Sequence, residues 1–481
     1  MTTLLRNLPS RSPSALALAL LVSAASGACG AFDATHPARA PLADKWFTRA
    51  KVSYKGGDLN DASMAVKSAL QAAPSDPEVR ILAARVALAR LDYPETLRLT
   101  EGMQTTEAHS LRGRARWFSG DIDQAADELE AMLQDPSVRD NWASDVAKLA
   151  RRGQGRHPFA MEGGYVASVE MPKAGPALIV PCELEGENIL ALVATASSEV
   201  IVDASTRREP AWVNLRFGER IEVKDVPAIA QDLSGVSHEL GAPIKALLGA
   251  NLLRHIHATF DRRGDQFVVR HDDPTPPPEA SRVPLWYVRG GGMFLRAGIA
   301  PSQPANGGVG ADETLRLTPL LVDTSSLFPV ALQDSVFTQA GVDLASLHPE
   351  PGTPNLKTGT LPSFKIGAFD LPKVPAVEGA PMADVFANVD LDMGGIVGAG
   401  LLSVFRVTFG DEGRFIWIEP DPVMMQGMNA PPPPSSPQVS PDTSPSPPPS
   451  SGGPARTGPA PQSSSSASPP NTMNSPPPSR P

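Results

Sequence analysis

Two stretches decide how this chain folds: LVATASSEVIVDAS, residues 192–205, and LVDTSSLFPVALQD, residues 321–334. Each reads as an apolar strand that runs into a polar turn and out into a second apolar strand. One carries Ala194 where the other carries Asp323. A second matched pair follows: ALLGANLL, residues 246–253, aligns without gaps on GIVGAGLL, residues 395–402. Next come Ala258-Thr259-Phe260-Asp261 in the first half and Val407-Thr408-Phe409-Gly410 in the second. Short strand-like runs and Gly, Pro and Asp turns fill both halves, an all-β signal. Residues 161–274 and 283–422 therefore read as two copies of one unit, joined across DDPTPPPEASR, residues 272–282.

A polar Thr turn plus an apolar-apolar-Gly segment in each half resembles the retropepsin-like aspartic peptidases. The resemblance implies two β lobes that meet face to face, usually as a homodimer and in pepsin-like relatives within one chain. Each lobe of that family supplies one Asp-Thr-Gly turn. Carried over by position, Asp323 takes the catalytic Asp place of the second lobe, Thr324 the Thr place, and Ser325 replaces the Gly. In the first lobe Ala194 takes the Asp place, Thr195 the Thr place and Ala196 the Gly place. The family's Thr hydroxyl bonds across to the other lobe and braces the paired turns, and both threonines are kept here. The family's chemistry needs two carboxylates that share a proton, one acting on water while the other donates to the carbonyl. One carboxylate cannot do both.

This pattern implies a catalytically impaired or inactive member of the fold that binds a protein or an extended peptide. An active aspartic endopeptidase that pairs Asp323 turns from two chains is the alternative. A structural protein of envelope assembly is a third reading, and Asp323 as a plain turn-capping residue stays open. Ala194→Asp is expected to rebuild the pair. No cofactor is implied. FTQAG and the residues before it, from Leu332, suggest a short helix, and GTPNLKTGTLPSFKIG, residues 352–367, a flap hairpin. The first lobe has less room for one after Ser205.

Residues 45–153 have a different texture, with helical patterns broken by short turns. AKVSYKGGDLNDASMAVKSALQAAPSDP resembles a tetratricopeptide repeat, with Ala50 and Tyr54 at the helix crossing, Gly57-Asp58 in the turn, Ala62 and Ala69 in the second helix, and Pro74 ending it. Ala84 repeats Ala50 at the 34-residue period of that family. Leu91 and Thr96 stand where Gly and Ala are usual. A third copy places Gly113, Gly120, Ala125 and Met132, and a closing helix follows. Stacked repeats make extended surfaces suited to a partner peptide.

The chain has 481 residues and a net charge of -10 without a long basic run, which argues against nucleic acid. Residues 1–29 read as an export signal with an apolar run too short to span a membrane. ASGACGA resembles a lipobox, which makes Cys29 a candidate lipidation site; ordinary cleavage near Ala28 or Ala31 is the alternative. Membrane contact is expected only through that anchor, and the location is the periplasm or outer envelope. Cys182, the second of two cysteines, has no partner for a disulfide. Residues 426–481 are rich in Pro and Ser and read as a disordered tail. His255 and His257 would share one face of a strand, without a metal-site spacing around them. RGGGMF, residues 289–294, reads as a turn.

Overall fold

The computed structural model describes residues 39–301, 316–350, 353–386 and 389–420. The expected signal, Cys29 and the Pro/Ser tail lie outside the described residues.

Seven helices come first: α1 (Pro41–Lys55), α2 (Leu59–Ala72), α3 (Pro77–Ala89), α4 (Tyr93–Thr100), α5 (Thr106–Phe118), α6 (Ile122–Leu133) and α7 (Asn141–Arg151). Asp58, Asp76, Asp92, Thr105 and Asp140 start five of them, each side chain accepting from a backbone N–H of the first turn. The helices approach closely where small residues face one another; Ala50, Ala62, Ala69 and Ala84 are fully buried. A Cβ on Gly113 would stand 2.7 Å from Leu129 Cδ2. The turn within each repeat uses the left-handed region at Gly57, Leu91 and Gly120, with φ of 68°, 59° and 84°. Leu91 therefore keeps the backbone that glycine supplies in its sister repeats. Its left-handed cost of about 1–2 kcal/mol is set against the burial of its side chain in the core of the β domain.

The first lobe contains β1 (Ala160–Gly163), β2 (Val166–Glu170), β3 (Ile179–Leu184), β4 (Glu187–Val193), β5 (Val200–Asp203), β6 (Ala211–Phe217), β7 (Ile221–Gln231), α8 (Ser234–Leu240), β8 (Ile244–Leu248), α9 (Ala250–His255), β9 (Thr259–Asp261) and β10 (Gln266–Arg270). The second contains β11 (Ser281–Pro284), β12 (Trp286–Val288), β13 (Gly292–Ala300), β14 (Arg316–Asp323), β15 (Val330–Leu332), α10 (Asp334–Gln339), β16 (His348–Glu350), β17 (Thr353–Ile366), β18 (Phe369–Glu378), α11 (Met382–Phe386), β19 (Gly395–Gly398), α12 (Ala399–Leu402), β20 (Phe405–Gly410) and β21 (Phe415–Pro420).

The two lobes repeat one topology. In the first, β4 pairs parallel with β8, β8 antiparallel with β5, and β5 parallel with β7. In the second, β14 pairs parallel with β19, β19 antiparallel with β15, and β15 parallel with β18. A third sheet, ordered β11-β21-β20-β9-β10-β2, takes three strands from each lobe. At its centre Thr259 pairs with Thr408, the residue that matches it in sequence, and their hydroxyls lie 2.9 Å apart. Matched residues that touch each other mark a pseudo-twofold axis within one chain.

Alternation along the strands gives each lobe sheet two faces. Ala191, Val193, Val200, Val202, Leu248, Leu320, Val322 and Val397 point into the shared core. Leu190, Leu192 and Ala194 take the other face of β4, and Pro319, Leu321 and Asp323 the other face of β14.

Candidate functional site

The two turns that follow β4 and β14 meet at the axis. Thr195 Oγ1 donates to the Val322 carbonyl at 2.8 Å and accepts from Thr324 N–H at 3.1 Å. Thr324 Oγ1 does the reverse, donating to the Val193 carbonyl at 2.7 Å and accepting from Thr195 N–H at 3.2 Å. Both threonines are fully buried. Four hydrogen bonds thus tie the turns together within one chain. Behind them, Ala194 N–H reaches the Leu248 carbonyl, and Ala250 and Ala399 donate to the Ser197 and Ser326 carbonyls. The glycines of the apolar-apolar-Gly segments allow this approach. A Cβ on Gly249 would lie 2.2 Å from the Glu199 carbonyl oxygen, and one on Gly398 2.1 Å from that of Phe328.

Of the two matched positions that open these turns, 194 and 323, only 323 carries a carboxylate. Asp323 Oδ1 accepts from Ser325 N–H at 3.0 Å and from the Ser325 hydroxyl at 2.5 Å, and Oδ2 accepts from the Ser326 hydroxyl at 2.7 Å. Ser325, in the Gly place, is exposed, so its hydroxyl competes with any substrate for Asp323. Ala194 is 3% exposed, and Ala196 packs against a cluster of the second lobe. The structure brings Ala194, Thr195, Ala196, Asp323, Thr324 and Ser325 to one place, with a methyl group where a second acid would be needed.

Much of the face that bears residues 194 and 323 is covered by the chain itself. On the first lobe, Ile179, Leu192, Ile201 and Ile229 pack against Trp117, Ile122, Leu129, Val146 and Leu149 of α5–α7. The Trp212 indole donates to the Leu149 carbonyl, and a Cβ on Gly153 would overlap the Trp212 ring. On the second lobe, Trp286 and Phe294 pack among the residues of α1–α3. There Arg296 pairs with Asp58, and Asp392 N–H donates to the Lys55 carbonyl. Nearer Asp323, Leu321, Ala331 and Ile396 are covered by Met382 and Phe386 of α11, with Phe328 and Ala196. The helical stack is therefore a lid across both lobes, and α11 packs over the apolar surface beside Asp323.

No protein-family model matches the sequence, and no curated protein matches it. Among solved structures it is similar to an aspartic proteinase from Irpex lacteus, with 11% identity, 55% of this chain and all of that one covered, and a TM-score of 0.37. A retropepsin-like aspartic protease from Rickettsia conorii shares 17% identity over 30% of this chain and 95% of its own, with a TM-score of 0.21. The TPR domain of Arabidopsis OM64 shares 17% identity over 23% of this chain and 95% of its own, also at 0.21. The fold is a two-lobed aspartic-peptidase-like β domain behind a tetratricopeptide-like stack. That description rests on the duplicated topology and the threonine brace.

Glu199 was not singled out in the sequence, yet it lies at the centre of the junction. Its side chain is 1% exposed, and its Oε1 accepts from the Trp117 indole N–H at 2.9 Å. Burial pushes its pKa up to about 6, while Trp117, Asn251, Arg254 and Trp142 act in the opposite direction. Arg254, also buried, donates to the Asn251 side chain and to the Phe118 carbonyl of α5. The signal that could have exposed this junction is the unbroken apolar run from Ile189 to Ala194: a strand buried on both faces does not alternate.

The histidines correct an expectation. His255 ends α9, and His257 sits in a turn with φ of 42°, so they share no strand face. His255 stacks on Phe159 with centroids 4.3 Å apart, and burial pushes its pKa down to about 3. His257 Nδ1 lies 2.8 Å from Asp273 Oδ1. Among the described residues no cluster suited to a metal forms. Cys182 is buried and has no disulfide partner among the described residues, and burial pushes its thiol up to about 12, which disfavours the reactive thiolate. The RGGGMF segment turns between β12 and β13. Residues 353–366 form the long strand β17, which pairs with β16, β18 and β13. The first lobe goes from β5 to β6 without such a hairpin.

Proposed function

We propose that this chain is a non-catalytic relative of the aspartic peptidases that binds a protein or an extended peptide. The observation that carries this reading is the completed threonine brace with Asp323 on one side and Ala194 on the other. The brace fills its partner positions within the chain, so a second copy is not needed to close it. Pairing through a short connection outcompetes pairing between chains, because the lobes are held at high effective concentration. A lone carboxylate, already engaged by two serines, lacks the proton-sharing partner that peptide hydrolysis requires. The helical stack then supplies a surface for the partner, since its own lobes cover the other side. Export and a lipid anchor at Cys29 belong to the same proposal, supported by the sequence of residues 1–29. The test is incubation of the full chain with a mixed peptide digest between about pH 3 and about pH 6, where aspartic dyads are active, followed by mass spectrometry. No new termini are expected. Cleavage that disappears in Asp323→Asn would overturn the reading.

A further inference from the structure

A cavity of about 440 Å³ opens where the helical stack meets both lobes. The stack supplies Tyr93, Trp117 and Phe118. The first lobe supplies Phe159, Arg254 and His255, and the β20–β21 turn of the second lobe supplies Glu412. No residue of the turns at 194–196 and 323–325 lines it. Five of these seven side chains are rings, and His255 and Phe159 lie within 13° of parallel. Such a wall suits a flat body of small-molecule size.

Two nitrogens of this wall have no hydrogen-bond partner among the described residues. Arg254 is 5% exposed; its Nε and Nη2 donate to the Asn251 side chain, Nη2 also donates to the Phe118 carbonyl, and Nη1 is left open. The Tyr93 hydroxyl lies near this guanidinium without a hydrogen bond to it. His255 Nδ1 lies 2.6 Å from the Asn251 carbonyl, which can only accept. The ring proton is therefore on Nδ1, and Nε2 presents a lone pair. Burial keeps the ring in this neutral form down to about pH 3. Neither Arg254 Nη1 nor His255 Nε2 is sealed from solvent. One open donor and one open acceptor thus belong to the same aromatic wall.

The wall is also held in place. Phe159, His257 and Glu412, all in the lining, take the left-handed backbone region with φ of 61°, 42° and 53°. Residues other than glycine stay there only where their surroundings fix them, and they gather at ligand sites. Gly413 fits beneath Arg254, since a Cβ there would stand 2.7 Å from Arg254 Cβ. Side chains fixed in this way are ready for a ligand before it arrives.

We propose that this cavity binds a small planar phenol that also carries a carbonyl. Its rings lie among Trp117, Phe118 and Phe159, its hydroxyl donates to His255 Nε2, and its carbonyl oxygen accepts from Arg254 Nη1. A phenol is a fitting donor because it keeps its proton to about pH 10. The ligand touches the stack and both lobes at once, so its binding stabilises their docked arrangement by mass action. The site is independent of the peptide-binding reading.

The probe is 7-hydroxycoumarin, a fluorescent bicycle with its hydroxyl at one end and its carbonyl at the other. Its anisotropy is followed as the full chain is added at about pH 5, where the phenol is protonated and His255 is neutral. Coumarin, which lacks the hydroxyl, and 2-naphthol, which lacks the carbonyl, serve as competitors. The probe should bind with a Kd below about 1 mM. Each competitor should bind at least about fivefold more weakly, the loss of one hydrogen bond. His255→Phe keeps a ring against Phe159 and removes Nε2, so it should bring the probe and coumarin to equal affinity. His348→Gln, an exposed histidine on β16, should preserve the difference. Circular dichroism confirms that the variants fold, and the competitor comparison on the unmodified chain needs no variant. No binding of the probe up to about 1 mM, equal binding of the probe and either competitor, or an undiminished preference in folded His255→Phe overturns the proposal.

Discussion

Thr195 and Thr324 exchange hydrogen bonds across the pseudo-twofold axis, each hydroxyl donating to a carbonyl of the opposite lobe and accepting the other's backbone N–H. Four buried polar groups of the backbone depend on these two hydroxyls. Thr195→Val keeps the shape and removes both bonds of one hydroxyl. With a buried N–H and a buried carbonyl left open, a loss of roughly 3 kcal/mol is expected in urea unfolding. Thr195→Ser should cost less than about half of that, since it retains the hydroxyl. The double variant with Thr324→Val should fall short of the sum of the singles, because both act on one network. Additive losses would mean that the two lobes are held together elsewhere.

Glu199 sets a pH dependence with a definite sign. Its carboxyl titrates near 4.5 when free and about 6 in the folded protein. The folded state holds this proton more tightly, so the contribution is fully present below about pH 4.5 and is lost as pH rises through about 6. The difference corresponds to about 2 kcal/mol. Glu199→Gln removes the charge and keeps an acceptor for Trp117. It should raise stability at pH 7 by up to about 2 kcal/mol and change it little at pH 4. Urea unfolding at the two pH values measures this; an equal effect at both would show that the carboxylate is not under strain there.

The buried position of Ala194 revises what its replacement should do. The sequence pattern alone expects Ala194→Asp to rebuild a working pair. In the structure residue 194 is 3% exposed and lies on the face covered by α5–α7. A carboxylate there is desolvated, so Ala194→Asp should lose stability by about 2–4 kcal/mol at neutral pH and less in acid, where it takes a proton. It should not gain peptidase activity. Cleavage by this variant, read by mass spectrometry, would show that the covering helices leave the site accessible.

Close packing in the third repeat gives a further test. A methyl group on Gly113 would meet Leu129 Cδ2 at 2.7 Å and Cγ at 2.8 Å. Gly113→Ala should therefore destabilise by about 1–3 kcal/mol, although alanine is the better helix former. Adding Leu129→Ala should recover part of the loss, as expected for residues that share one space. A stabilising Gly113→Ala would mean that the two helices sit further apart.

The doubled segments made the β architecture legible because they recur in the same order: apolar strand, Thr turn, apolar-apolar-Gly, short helix, strand. The threonines were legible for the same reason, as were the Ala and Gly positions of the helical repeats. Leu91 breaks the glycine pattern and still takes its left-handed turn, because its side chain gains a buried place in the β core. What could not be read was the docking. Trp117 meets Glu199 across 82 residues of chain, and Arg254 meets the Phe118 carbonyl across 136. Local periodicity carries no record of such contacts. The place of His255 was hidden in the same way, since its segment reads only as a strand until the stack is placed against it.

The most direct measurement is peptide cleavage by the full chain as a function of its own concentration, between about pH 3 and about pH 6, with Asp323→Asn in parallel and the mass in solution followed throughout. The account predicts no cleavage at any concentration and no difference between the two proteins. Cleavage that is lost in Asp323→Asn and grows with the square of concentration would contradict it, because two chains would then be pairing their Asp323 turns in place of the intramolecular brace.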